Sequence, residues 1–165
     1  MHALTLILAL SASCVPEPLL SFPPQPIEGL VNIRFQVDVR VFAAMAAINI
    51  AGFDLDAERL QQNPTRKLVL ERLRSVDPNL RERLRQFYLA RNSENDDLKQ
   101  QSKYISLALL LAGPPRFALS AKAQDFPPDA QLIAGFERLL EELWRERELP
   151  KLWEEVRADY LREVE

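Results

Sequence analysis

The residues that could carry out chemistry are few in this sequence. The 165-residue chain has one histidine, His2, and one cysteine, Cys14. A Ser-His-Asp or Cys-His catalytic centre, a Cys/His zinc site and a disulfide framework all need more of these residues. Lys103 lies directly beside Ser102, which is not the spacing of a Ser-x-x-Lys nucleophile. The sequence therefore predicts no catalytic residue, no metal ligand and no bound cofactor.

Acidic residues are the remaining candidates for chemistry. Asp54, Asp56 and Glu58 alternate like the start of a calcium loop, but loop positions six and twelve hold Arg59 and Thr65 instead of Gly and Glu. We interpret this segment as a polar connection. Adjacent residues on a helix point in different directions, so adjacent carboxylates do not form a two-carboxylate cleft. We interpret three such pairs as exposed helix faces: Asp96-Asp97, Glu141-Glu142 and Glu154-Glu155.

The N-terminal segment has the layout of an exported protein. An apolar run over residues 3–10 and three small residues precede Cys14, which fits signal-peptidase cleavage between Ser13 and Cys14. The run is too short to cross a bilayer, which takes about 20 apolar residues. The next stretch is rich in proline and favours an extended tether. We predict a signal peptide over residues 1–13, a tether over 14–29, and export to the periplasm, the cell envelope or the medium. Cys14 is a candidate lipidation site, and a lipid anchor there would be the only membrane contact.

Charge is unevenly distributed along a chain whose formal charge is −3. Residues 64–91 contain eight basic and three acidic residues, whereas residues 129–165 contain eleven acidic and six basic ones. The basic segment could bind nucleic acid or anionic lipid headgroups, or it could lie beside the acidic helices. We favour the second interpretation and predict no nucleic-acid partner, because no aromatic interleaving or known nucleic-acid module accompanies the charge.

The periodicity of the sequence predicts a mainly α fold, with a helical domain over residues 30–165. Residues 31–37 alternate between apolar and polar side chains, which indicates one short N-terminal β-strand. Capping signals and apolar spacing then predict about six helices, over residues 39–51, 64–76, 78–91, 98–112, 129–147 and from 150 onward. The alanine-rich first helix should be the most buried. It should pack against the helix that carries Ile105, Leu107, Leu109 and Leu110.

The last helix carries an apolar stripe whose members are three or four residues apart. A stripe of this kind must be covered by the preceding helix, by another chain or by a missing C-terminal segment. We expect the preceding helix to cover only part of it, which leaves an interface for an unidentified protein partner or for weak self-association. The predicted interface residues are Trp153, Val156, Tyr160 and Val164.

Three segments carry a resemblance to a group of proteins. They read VDVRVFAAMAAINIAGFD, NPTRKLVLERLRSVDPNLRERLRQFY and KYISLALLLAGPP. In this order they resemble the N-terminal helical region of longer uncharacterised exported bacterial proteins, from Val31 to Glu165. The resemblance implies a second, peptidase-like part with histidine-bearing helices, which this chain lacks, so no catalytic residue is carried over.

Two functions fit these observations. The first is a non-catalytic exported α-helical module that acts in protein-protein interaction or as the N-terminal part of a larger protein. The alternative is the N-terminal fragment of a peptidase-like hydrolase whose catalytic part is absent from this chain.

Overall fold

The computed structural model describes residues 36–53, 63–92, 96–120, 125–146 and 148–164, all within one unit, Arg34–Glu165. Most of these residues are helical, which confirms the mainly α class. The predicted signal peptide, the tether, Cys14 and nearly all of the predicted strand lie outside the described residues. In the described part, no helix is long and apolar enough to cross a membrane.

Helix α1, Val39–Ile50, is the centre of the fold. The Asp38 carboxylate caps it by accepting a hydrogen bond from the Arg40 backbone N–H. Gly52, with φ of +92°, closes it in a Schellman motif, in which the Gly52 and Phe53 N–H groups donate to the carbonyls of Asn49 and Ile48. Alanines let neighbouring helices approach closely, and α1 is buried on most of its circumference, as the sequence predicts.

The next helices begin where the sequence predicts. Helices α2, Pro64–Arg72, and α3, Pro78–Arg91, each follow a capping side chain, Asn63 or Asp77, and start with proline at their first position. A 3₁₀ turn, Leu73–Ser75, connects them. Asp96 caps α4, Asp97–Leu110.

The predicted helix over residues 129–147 is two helices. A single turn, α5, covers Pro128–Gln131, and α6 covers Phe136–Arg145. Gly135 separates them with φ of +98°, a left-handed conformation that an α-helix cannot include. Helix α7, Glu148–Val164, follows. The described residues therefore form seven α-helices rather than about six.

The core forms around α1, which packs against α3, α4, α6 and α7. Its most extensive contact is with α4, as predicted. The prediction that Leu109 is a core residue is wrong: its side chain is 51% exposed, whereas Leu107 is fully buried. Leu107 falls on the buried face of α4 with Gln100, Lys103 and Tyr104, at the i, i+3, i+4, i+7 spacing of one helical face. Leu109 lies two residues further on, outside that face.

The basic and acidic helices lie beside each other, as interpreted from the sequence. Helix α2 contacts α7, and α3 contacts α6. Arg72 pairs with Glu155 across the first contact at 3.4 Å, and Arg83 pairs with Glu142 across the second. Arg72 and Arg83 of the basic segment are therefore paired with acidic residues of neighbouring helices.

Candidate interaction groove

An apolar groove lies where the start of α1, the end of α4 and the last turns of α7 meet. Its volume is about 660 Å³. Three helices contribute apolar side chains to it, and the residues just before α1 complete one wall. The groove is lined by Gln36, Val37, Asp38, Arg40, Val41, Phe42, Met45, Leu109 and Tyr160.

Leu109 is the most exposed large apolar side chain of this groove, at 51%. Val41 and Met45 are half-buried at its sides, and Phe42 is buried. Water therefore contacts a continuous apolar surface, and burial of such a surface against another molecule is favourable in proportion to its area. The arrangement can bind a molecule, and it holds no group placed for acid-base or nucleophilic chemistry within the described lining.

The predicted stripe on α7 reaches this groove with one of its residues. Tyr160 lines the groove, and its ring lies 6.3 Å from that of Phe42. The ring of Trp153, seven residues earlier on α7, lies 5.1 Å from the same Phe42 ring. Val156 is fully buried and belongs to the core of this chain, and the side chain of Val164 lies outside the described residues. Of the predicted interface residues, Trp153 and Tyr160 are therefore the two that keep partial exposure.

A single guanidinium group fixes the rim of the groove. Arg40 donates to the Asp38 carboxylate through Nε and Nη2, and through Nη1 to the carbonyls of Leu109 and Leu111 at 3.1 and 2.8 Å. These bonds satisfy carbonyl groups at the C-terminal end of α4, which have no partner within the helix. The hydrogen bond from Arg40 lowers the pKa of the Asp38 carboxyl and raises that of Arg40 itself.

The acidic pairs predicted to be exposed faces have structural partners. Asp96 accepts a bond from the Lys99 N–H as the cap of α4. The four glutamates form ion pairs within a helix or between helices: Glu141 with Arg145, Glu142 with Arg83, Glu154 with Arg157, and Glu155 with Arg72. Asp54, Asp56 and Glu58 lie outside the described residues. Among the described residues, no group of three or more His, Cys, Asp or Glu side chains is arranged to hold a metal ion.

A buried polar cluster between α3 and α4 was not predicted. Lys103 is 3% exposed, and its Nζ donates to Gln100 Oε1 at 3.3 Å. Gln100 Nε2 in turn donates to the Arg91 carbonyl at 3.1 Å, which ties α4 to the end of α3. The rings of Tyr88 and Tyr104 stack beside them, and burial raises the pKa of both phenols. The helical spacing of Gln100, Lys103, Tyr104 and Leu107 was the available signal for this buried face.

A second groove of about 760 Å³, which is lined by more charged residues, runs between α3 and α6. The Arg83–Glu142 ion pair crosses it, and Arg91 lies over the Phe87 ring at 3.6 Å. Three of its charged side chains, Arg83, Glu142 and Arg91, therefore already contact one another or an aromatic face. The groove between α1, α4 and α7 is the better candidate for binding, because only two of its lining residues are charged and the 51% exposed Leu109 lies at its edge.

The fold and the groove define a mainly α domain with an apolar groove on its surface. Comparisons with family models, curated proteins and solved structures found no match for this chain. Its function is therefore argued from its own geometry.

Proposed function

We propose that this chain is a non-catalytic, exported α-helical module that acts in protein-protein interaction, either alone or as the N-terminal part of a larger protein. The observation that supports an interaction role is the apolar groove with the half-exposed Leu109 at its edge. A leucine in this position is an anchor for a partner, because full burial of such a side chain contributes about 1.5–3 kcal/mol and about half of that remains available to the 51% exposed Leu109.

The partner that we propose for the groove is a second copy of the chain. In a symmetric dimer the same surface of both copies is in contact. A groove whose charges had a single sign would therefore be repelled by the groove of the second copy. The two charged residues of this groove, Asp38 and Arg40, neutralise each other. Stable protein interfaces bury about 1,200–2,000 Å² in total, and a groove on three helix ends provides less than that. The expected association is therefore weak and depends on concentration.

The test is sedimentation of the full chain over a wide range of concentrations. Leu109→Glu should weaken self-association about tenfold or more, because it places a charge in the apolar contact. Leu132→Glu is the matched control, since Leu132 is 59% exposed and does not line the groove. Equal association of the two variants and the unchanged chain would contradict the proposal, as would a monomer at every concentration.

Export is a separate part of the proposal and rests on the sequence of the first 29 residues. The mass of the intact protein, recovered from cell fractions, tests it. Cleavage before Cys14 gives a shortened chain in the envelope or the medium, and acylation of Cys14 adds the mass of lipid chains. Recovery of the cytosolic protein with Met1 in place would contradict export.

A further inference from the structure

The outward face of α4 carries an apolar stripe that ends at the groove. Leu98, Ser102, Ile105 and Leu109 follow one another at intervals of four, three and four residues, which places them on one side of the helix. Leu98 is 74% exposed and Leu109 is 51% exposed, while Ser102 is exposed and Ile105 is half-buried. Leu98 lies about 16 Å from Leu109 along the helix axis and does not line the groove.

No charged side chain belongs to this stripe. The exposed charged residues of α4, Asp97 and Lys99, lie in its first turn, and the third, Lys103, is buried on another face. The Ser102 hydroxyl donates to the Lys99 carbonyl of its own helix at 2.7 Å, so it stays paired when the stripe is covered. Burial of the stripe therefore leaves neither an unpaired charge nor an unpaired hydroxyl group.

The spacing of the stripe is the same in both directions along the helix, because it is symmetric about the midpoint between Ser102 and Ile105. When two copies of α4 lie antiparallel about a twofold axis through that point, Leu98 of each copy faces Leu109 of the other, and Ser102 faces Ile105. Intervals of three and four residues are those of the contacting positions in a helix pair, and a small side chain opposite a large one lets the helices interdigitate. The antiparallel direction also brings the positive end of each helix dipole to the negative end of the other.

We propose that two copies of the chain pair through α4 in this antiparallel arrangement, and that the partner's Leu98 occupies the groove beside Leu109. The inference rests on the proposed function, since it names the part of the second copy that enters the groove. The protruding Leu98 and the groove lie at opposite ends of one helix, so a single twofold axis fills both grooves at once. The contact also gains the length of a 14-residue helix, about 21 Å.

Two substitutions test whether Leu98 faces Leu109. Sedimentation of the full chain should show that Leu98→Lys and Leu109→Glu each weaken self-association about tenfold or more, because each places a charge against a leucine. In an equimolar mixture of the two variants, one contact joins lysine with glutamate and the other joins two leucines. Association of the mixture should therefore return to within about threefold of that of the unchanged chain. A parallel pairing would not restore it, because position 98 would then face position 98.

Leu98→Glu is the matched control. Mixed with Leu109→Glu, it places two negative charges together, so association should stay weak. Circular dichroism of each variant confirms that it is folded. Association of Leu98→Lys as strong as that of the unchanged chain, a lysine–glutamate mixture as weak as its components, or equal recovery in the control mixture would overturn the arrangement. If Leu109→Glu alone still weakens association in those cases, the groove remains an interface and the proposed function stands. A monomer at every concentration would overturn both.

Discussion

Arg40 shows how much of the local structure one side chain can determine. Its backbone N–H donates to the Asp38 carboxylate that caps α1, its Nε and Nη2 donate to the same carboxylate, and its Nη1 donates to carbonyl groups at the end of α4. The start of α1 and the end of α4 are therefore held together at the rim of the groove. Both charged groups are only about one quarter exposed, so solvent screens their interaction less than it would screen a surface pair.

The lowered pKa of Asp38 makes part of the stability dependent on pH. Because the folded-state pKa lies below the unfolded value of about 3.9, the ion pair stabilises the folded chain at neutral pH, and this stability is lost as the pH falls through the folded-state pKa. Asp38→Asn keeps a capping side chain and removes the charge. Its free energy of unfolding should be lower by about 1 kcal/mol at pH 7 and equal to that of the unchanged chain at low pH.

Urea unfolding from pH 7 down to pH 2 measures this difference. Asp77→Asn is the control, since Asp77 also caps a helix but forms no ion pair among the described residues. A difference between Asp38→Asn and the unchanged chain that persists at low pH would show that the ion pair is not its cause.

The helix caps could be predicted from the sequence, and the groove could not. Asp38, Asn63 and Asp77 are recognisable because a cap depends on the next three residues alone. The exposure of Leu109 depends on the positions of α1 and α7 relative to α4. No local sequence pattern specifies these positions.

Gly135 sets the geometry of the segment that the sequence predicts to be one helix. At φ of +98° it ends the turn that follows α5 and precedes the first residue of α6, so the two helices are not continuous. A single glycine inside an apolar period is a weak signal, since glycine also occurs within continuous helices. The apolar spacing correctly predicted the helix α6. The predicted start of that helix was wrong, because it is decided by the backbone conformation of Gly135 alone.

Replacement of Gly135 by alanine should reduce the free energy of unfolding by about 1–2 kcal/mol, because a side chain is unfavourable in the left-handed region. A Cβ atom there meets Phe87 Cε2 at 3.7 Å, an ordinary contact, so the cost comes from the backbone. Gly113→Ala is the matched control, because a Cβ at that position meets nothing within 4 Å and the backbone is not left-handed. Denaturant unfolding of both variants checks this expectation, and equal stabilities would contradict it.

At the scale of the whole molecule, the uneven charge along the sequence becomes pairing between helices. Arg72 of α2 and Glu155 of α7 are far apart in the chain and 3.4 Å apart in the structure. The charge composition predicted that the basic and acidic helices are neighbours. It did not predict which helices pair or the angles between them. The sequence could not indicate which arginines remain without a carboxylate, because that depends on the packing of each helix.

Exchange of the two charges tests this pairing. Glu155→Lys alone should destabilise the chain, because it places two positive charges together, and addition of Arg72→Glu should restore the stability. The coupling free energy should be about 0.2–1 kcal/mol for a pair of this exposure. It should decline at about 1 M salt, where the screening length is about 3 Å. Thermal unfolding of the single and double variants at low and high salt measures the coupling, and additive effects would show that the pair contributes nothing.

The groove between α1, α4 and α7 also brings the first and last parts of the described domain together. Gln36 and Tyr160 line the same cavity, although more than 120 positions separate them in the sequence. A short peptide linker could therefore join the two ends of the described domain, and a new start could be placed between α3 and α4. The domain is accordingly suited to circular permutation, and to insertion as a cassette within a loop of another protein.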